Sequence, residues 1–100
     1  MSRNWTHSSL RNGEKLKVPK KILIDNILEG GNPGKLLSMT YIGETSTGII
    51  TDLRFQPTYE SMEPENVHYR KFISFADIYC GSIQLFKQSD HSQVKVRRAS

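Results

Sequence analysis

The alternation of apolar and polar positions is clearest between Lys35 and Phe55, where it predicts two strands joined by a turn. The apolar positions that share one face are Leu37, Met39 and Tyr41 in the first strand and Ile49, Leu53 and Phe55 in the second. The connecting residues, 43–48, have glycine at both ends and polar residues between. This composition is typical of a hairpin loop. We therefore expect the rest of the chain to cover the apolar face of this hairpin.

Residues 15–29 are compatible with two different elements. As a helix, the segment would begin near Pro19 and end at Gly30 or Gly31, with apolar pairs four residues apart on one stripe. As a strand, it would use the β-branched isoleucines on one face. The length and the glycine pair favour a helix over residues 19–29, and the strand is the alternative. Residues 30–34 then form a turn.

Downstream of the hairpin, the pattern predicts one loop and two further strands. Residues 56–66 contain two prolines and three glutamates, which indicates an exposed acidic loop. Residues 67–79 are apolar on both faces, a pattern of central strands and of strands that bend within a barrel. Residues 80–82 predict a bend, and residues 83–87 a last strand.

Both ends of the chain are polar and carry its positive charge. Residues 1–21 hold six Lys or Arg against one acid, residues 22–86 four against eight, and residues 87–100 four against one. We predict a flexible tail over 1–14, one folded domain over 15–88 and a second flexible tail over 89–100. Basic ends beside a mildly acidic centre favour RNA or another polyanion as partner, with a solubilising role as the alternative.

The candidate nucleic-acid contacts are the basic residues of these ends and one aromatic residue. They are Lys15, Lys17, Lys20, Lys21, Arg97, Arg98 and Trp5. The basic side chains would neutralise phosphates, and the indole would stack on a base. The last four residues, Arg-Arg-Ala-Ser, have the form of a basophilic kinase site, which makes Ser100 a candidate for phosphorylation.

The sequence contains no residue set that indicates catalysis, a metal site or a cofactor. Its three histidines are not at metal-ligand spacing, and the single cysteine, Cys80, excludes an internal disulfide or a multi-cysteine zinc site. We therefore predict a protein that is not an enzyme and uses no cofactor. The sequence shows neither a signal peptide nor a membrane-spanning run, so we expect an intracellular protein of the nucleus or cytoplasm.

The hairpin resembles the first motif of the Sm and Sm-like family of RNA-associated small β-barrels. Gly43 and Gly48 match the spacing of two glycines in that motif, and residues 48–53 follow its pattern of glycine and apolar positions. A possible helix before the first strand and residues 72–78 add to the resemblance, which covers about residues 19–87. It implies a single small antiparallel β-barrel with a short N-terminal helix. It also implies a non-catalytic RNA-associated subunit that pairs with other proteins in a ribonucleoprotein assembly or RNA-processing complex.

The sequence departs from the family at the positions that form its RNA pocket. After Leu53 the family pattern has an acidic residue and then a Met-Asn-like pair, whereas this chain has Arg-Phe-Gln-Pro-Thr at residues 54–58. Cys80 stands where the family has an arginine that stacks on a base. The family's pocket residues therefore cannot be transferred to this chain. The resemblance predicts instead that the open edges of the barrel pair with a protein partner or with a second copy.

Two other functions are compatible with the pattern. In an OB-type barrel, residues 21–28 would be the first strand, and aromatic side chains would bind single-stranded nucleic acid. The candidate aromatic platforms in that fold are Tyr41, Phe55, Tyr69, Phe72 and Phe75. The third possibility is a self-assembling structural or viral accessory protein, whose barrel binds only copies of itself.

Overall fold

The computed structural model describes residues 5–28, 34–56 and 67–98, and about half of these residues lie in two antiparallel sheets. The strands are β1 (Trp5–His7), β2 (Lys15–Lys17), β3 (Lys35–Glu44), β4 (Gly48–Gln56), β5 (Val67–Ser74), β6 (Phe86–Lys87) and β7 (Val96–Arg98). The helices are α1 (Lys20–Ile22), which a π-helical segment Leu23–Ile27 continues, and α2 (Phe75–Tyr79).

The larger sheet has five strands in the order β5-β4-β3-β2-β6, and β1 pairs with β7 in a separate ribbon. The prediction of a mainly β, antiparallel fold is confirmed, but the sheet is not closed into a barrel. Closure requires the first and last strands of a sheet to pair along their length. Among the described residues β5 and β6 do not pair, because β6 has only two residues and the chain enters α2 directly after β5.

The central hairpin of β3 and β4 is where the sequence predicted it. Met39, Leu53 and Phe55 are at most 1% exposed and form the middle of the core. Leu37 was also expected inside, but it is 43% exposed. The pairing with β4 shifts by one residue between positions 36 and 38, and this shift turns Leu37 outward while Leu36 packs against the core.

The helix predicted over residues 19–29 is present from Lys20, and the alternative strand that would use the isoleucines is not formed in the described part of this segment. Residues 15–17 form β2 between β3 and β6, and the helix begins directly after Pro19, whose ring suits a helix start. Leu23 and Ile27, four residues apart, are buried, as the helical stripe predicted. The turn predicted at residues 30–34 lies outside the described residues except for Gly34.

Strand β5 differs from its prediction in length and position. The strand ends at Ser74 instead of continuing to Tyr79, because the Ser74 hydroxyl accepts a hydrogen bond from the Asp77 amide (3.1 Å) and caps α2. It lies at an edge of the sheet, so Phe72 on its outward face is 53% exposed. The predicted bend follows α2, with Gly81 at φ +87°. The predicted acidic loop lies outside the described residues, apart from Gln56.

The two segments predicted as flexible tails contribute ordered strands in the described residues. Trp5 pairs with Arg98 and His7 with Val96. Val94 and Val96 are 2% and 8% exposed, and they alternate with the exposed Lys95. Two apolar positions are enough to attach this short segment to the core, although its composition is polar overall.

The core lies between the inner face of the five-stranded sheet and a cover of helices and ribbon. Members from the sheet include Leu16, Met39, Ile49, Leu53 and Ile73; members from the cover include Leu23, Phe75, Ile78, Leu85 and Val96. The opposite face of the sheet therefore points away from the core.

Candidate nucleic-acid interface

The outward face of the five-stranded sheet, here called the sheet face, is defined by strand register. Directly paired residues of antiparallel strands point to the same side. Leu53 is paired with Met39 on one neighbour and Tyr69 on the other, and this row points into the core. The next row, which includes Asp52 and Arg70, therefore points away from it.

That row crosses four strands and is polar throughout. It consists of Lys15 on β2, Thr40 on β3, Asp52 on β4 and Arg70 on β5. The Lys15 Nζ donates a hydrogen bond to Thr40 Oγ1 at 2.9 Å, which holds the ammonium group over the sheet. With neighbouring strands about 4.8 Å apart, the row is about 14 Å long.

Further cations lie on the same face in the adjacent rows. Arg54 is paired with Ser38 and His68, Lys17 follows the buried Leu16, and Lys35 is paired with Gln56. The cationic side chains of the sheet face are Lys15, Lys17, Lys35, Arg54 and Arg70, all exposed. Among the described strands of this face, Asp52 is the single carboxylate, and its Oδ2 lies 3.5 Å from His68 Nδ1. The face is therefore strongly positive.

Phe72 adds an exposed aromatic ring at one end of the sheet face. It is paired with the partly buried Ile50, two residues along β5 from Arg70. Its ring covers Gly48, where a Cβ atom would collide with the ring and with the carbonyl oxygen of Ile73. The absence of a side chain at position 48 thus lets the ring lie against the backbone, with about half of the side chain in solvent.

The sequence-predicted candidates are divided among three places. Lys15 and Lys17 lie on the sheet face, whereas Lys20 and Lys21 lie on α1. Trp5, Arg97 and Arg98 are brought together in the β1–β7 ribbon. Ser100 lies outside the described residues.

The environment of Trp5 differs from the predicted free stacking platform. Its ring packs at centroid distances of 6.3 Å from Phe75 and 5.6 Å from Tyr79 of α2. The guanidinium of Arg98 lies over it, 5.7 Å from the centroid. The indole is thus used to attach the ribbon to α2.

Arg54 and Arg70 were not predicted as a binding pair, and Phe72 was predicted only as one of several aromatic candidates. Strand alternation could have indicated both arginines, because Arg54 lies between the apolar Leu53 and Phe55, and Arg70 follows Tyr69. The negative net charge of residues 22–86 concealed this basic surface. Three of the eight acids of residues 22–86 belong to the segment 57–66, which is not on the described strands.

Reactive groups do not converge on a catalytic arrangement in the described part of the chain. The exposed Cys80 Sγ lies 3.0 Å from Ser82 Oγ and contacts the carbonyl of Asp77. The Ser82 hydroxyl and backbone hydrogen bonds lower the pKa of this thiol. Residues 5–28, 34–56 and 67–98 contain no group of three side chains suited to a metal ion. They also contain no helix with the length and apolarity needed to cross a membrane.

Comparisons of the chain with models of protein families, with curated protein sequences and with solved structures found no match.

Proposed function

We propose that this protein binds single-stranded nucleic acid, in the first place RNA, on its sheet face and that it does so without catalysing a reaction. The observation that carries the proposal is that, in the described residues, five exposed cations and a single carboxylate share one face with an exposed phenylalanine. Cations with an aromatic platform are the combination by which proteins bind single strands of any sequence.

The positions of these groups indicate which of them would contact phosphates and which would contact a base. Arg54 and Arg70 lie on adjacent strands, and Lys15 and Lys17 lie beyond β3 on the far side. A strand of nucleic acid that crosses the sheet would place successive phosphates near these cations. Phe72, at the edge, would stack against one base of the same strand. The preference for RNA comes only from the resemblance to the Sm-like family.

The test is the salt dependence of binding to a short, labelled oligouridine for three forms of the full chain. These are the unmodified protein, Arg54→Ala/Arg70→Ala and the control Lys20→Ala/Lys21→Ala, which removes the same charge from α1. Each phosphate contact with a single strand contributes about −0.7 to the slope of log K against log salt. We expect the sheet-face variant to reduce the slope by about 1.4, and the control to change it little.

Phe72→Ala separates stacking from charge. We expect it to weaken binding by about 1–3 kcal/mol while the salt slope stays unchanged, since no cation is removed. Leu37→Ala, which removes another exposed apolar side chain, is the matched control. Absence of binding by the unmodified protein, or equal losses for the sheet-face and α1 variants, would refute a binding site on the sheet face.

A second candidate function is pairing with a protein through the edge of β5. The Phe75 amide donates to Thr47 O and the Thr51 hydroxyl donates to Lys71 O, so the odd-numbered residues direct their backbone groups toward β4. The backbone groups of Arg70 and Phe72 then point away from the sheet, where no described strand pairs with them.

The charges on β5 favour a different protein over a second copy in this role. Antiparallel pairing of two β5 strands centred on this segment would place the cations Arg70 and Lys71 close to those of the other copy. We therefore expect the purified chain to keep the mass of a monomer over a wide concentration range. A dimer that Lys71→Glu abolishes would favour self-association instead.

A further inference from the structure

The β1–β7 ribbon lies on the side of the molecule opposite the sheet face. Val96 belongs to the same hydrophobic core as Leu53 and Met39, which line the inner side of the five-stranded sheet. Its partner His7 stacks on Phe75 of α2, with 5.3 Å between ring centroids. The ribbon therefore covers the core on the side opposite the sheet face.

Alternate residues of the ribbon point to solvent and form a polar surface, here called the ribbon face. Thr6 is paired with Arg97, and the Ser8 amide donates to Lys95 O at 2.9 Å. These residues alternate with the inward-facing His7 and Val96. Thr6, Ser8, Lys95 and Arg97 line an open depression of about 280 Å³ together with the edge of His7. The Ser8 hydroxyl accepts a hydrogen bond from the Lys95 amide at 2.9 Å. The groups in the depression that are suited to a phosphate are therefore the Thr6 hydroxyl and the two cations.

The positive charge of the ribbon face is not neutralised within the described residues. Neither Lys95 nor Arg97 takes part in an ion pair there. The carboxylate of Glu44, which contacts the ribbon, lies 3.0 Å from His7 Nε2 and accepts a hydrogen bond from the Tyr41 hydroxyl. Lys95 and Arg97 are exposed, and neither is needed to satisfy a buried group.

We propose that the ribbon face is a second binding surface for the phosphate backbone of single-stranded nucleic acid, so that one molecule holds two strands on its opposite sides. This inference rests on the proposed function of the sheet face. The two faces are separated by the hydrophobic core, so a short oligonucleotide on one face cannot reach the other. The consequence is bridging, in which one chain brings two single strands, or two distant segments of one strand, close together.

The experiment measures bridging and stoichiometry separately. Two non-complementary oligouridines, each too short to pass around the molecule, carry a donor and an acceptor dye. With the unmodified full chain we expect energy transfer between the dyes and two oligonucleotides bound per protein. With Lys95→Ala/Arg97→Ala we expect the transfer to fall to the background level and the stoichiometry to fall to one. Binding to the sheet face should then stay within about twofold of its original affinity, because these sites are far apart and act independently.

Control variants separate failure of this inference from failure of the proposed function. Lys95→Arg/Arg97→Lys keeps both charges and should keep the energy transfer. Arg54→Ala/Arg70→Ala should also lose the energy transfer but retain binding at the ribbon face. Adding Lys95→Ala/Arg97→Ala to that variant should then remove the remaining binding.

Three results would overturn the inference. One is a stoichiometry of one for the unmodified protein, another is energy transfer that Lys95→Ala/Arg97→Ala does not change, and the third is transfer that appears only with a dimeric mass. In each of these cases the salt slope of the sheet-face variant still decides the proposed function on its own.

Discussion

The imidazole Nε2 of His7 lies 3.0 Å from Oε1 of Glu44, and this contact joins the two sheets of the molecule. His7 belongs to β1 of the ribbon, and Glu44 ends β3 of the larger sheet. The His7 side chain is 10% exposed, and its Nδ1 lies 2.6 Å from the carbonyl oxygen of Ser8. Each ring nitrogen thus lies within hydrogen-bond distance of an oxygen, one of Ser8 and one of Glu44, and these two contacts restrict the ring orientation.

We expect His7→Ala to destabilise the protein by about 1–3 kcal/mol, since it removes a largely buried hydrogen bond to a charged group together with the contact to Phe75. Urea unfolding followed by tryptophan fluorescence measures this, because Trp5 lies in the ribbon. His68→Ala is the control, as the side chain is 48% exposed and should change stability by less than about 0.5 kcal/mol. Equal losses for the two variants would show that the contact with Glu44 contributes nothing.

A side chain at position 48 should disturb β4 and β5 together. In Gly48→Ala the new methyl group would collide with the ring of Phe72 and the carbonyl of Ile73, and we expect a loss of about 1–3 kcal/mol. Gly43→Ala at the other end of the turn has no heavy atom within 4 Å of the new Cβ and should cost less than about 1 kcal/mol. Chemical unfolding of both variants makes the comparison, and a larger loss for position 43 would contradict it.

The shifted register in β3 makes different predictions for two leucines of the hairpin. Leu53→Ala should destabilise by about 2–5 kcal/mol, because a fully buried side chain leaves a cavity. Leu37→Ala should change the free energy of unfolding by less than about 0.5 kcal/mol, because the side chain is turned to solvent. A large loss at position 37 would show that this leucine is buried in solution.

The thiol of Cys80 should react as a more acidic cysteine than a free one. The Ser82 hydroxyl and the backbone hydrogen bond of that residue lower its pKa, and the weaker effect of the Asp77 charge acts in the opposite direction. The lowered pKa increases the fraction of thiolate at neutral pH. We expect Ser82→Ala to move the midpoint of the pH dependence of alkylation by iodoacetamide upward. Ser46→Ala, in an exposed turn, should leave the midpoint unchanged.

The sequence predicted the parts of the fold that local patterns determine. The β3–β4 hairpin follows from alternation and from the glycines that flank its turn, and the helix after Pro19 follows from the spacing of Leu23 and Ile27. Two features of the strands had no signal in the sequence. Leu37 is turned outward by a register shift, and β5 ends at Ser74 because a hydroxyl caps the next helix. Both depend on pairing and capping geometry, which apolar spacing does not describe.

The candidate site was predictable in type but not in place. A basic surface was expected, and Lys15 and Lys17 do lie on the sheet face. Arg54 and Arg70 could not be joined to them, because they become neighbours only once the order of the strands is known. The prediction of a closed barrel was wrong for the same reason, since closure depends on which strands meet at the edges of the sheet. The resemblance to the Sm-like family remains a prediction.

The pairing of Trp5 with Arg98 also sets an order of events in folding, because it joins segments from near the two ends of the chain. The entropy cost of closing a loop rises with the number of residues in it, so contacts inside the β3–β4 hairpin are available long before those of the ribbon. The ribbon is also the smaller of the two sheets, with two strands against five, and we expect it to open at a lower free energy than the five-stranded sheet. We therefore expect the ribbon face to be lost first on warming, so that a protein that bridges two strands would keep only its sheet-face site before the main sheet unfolds.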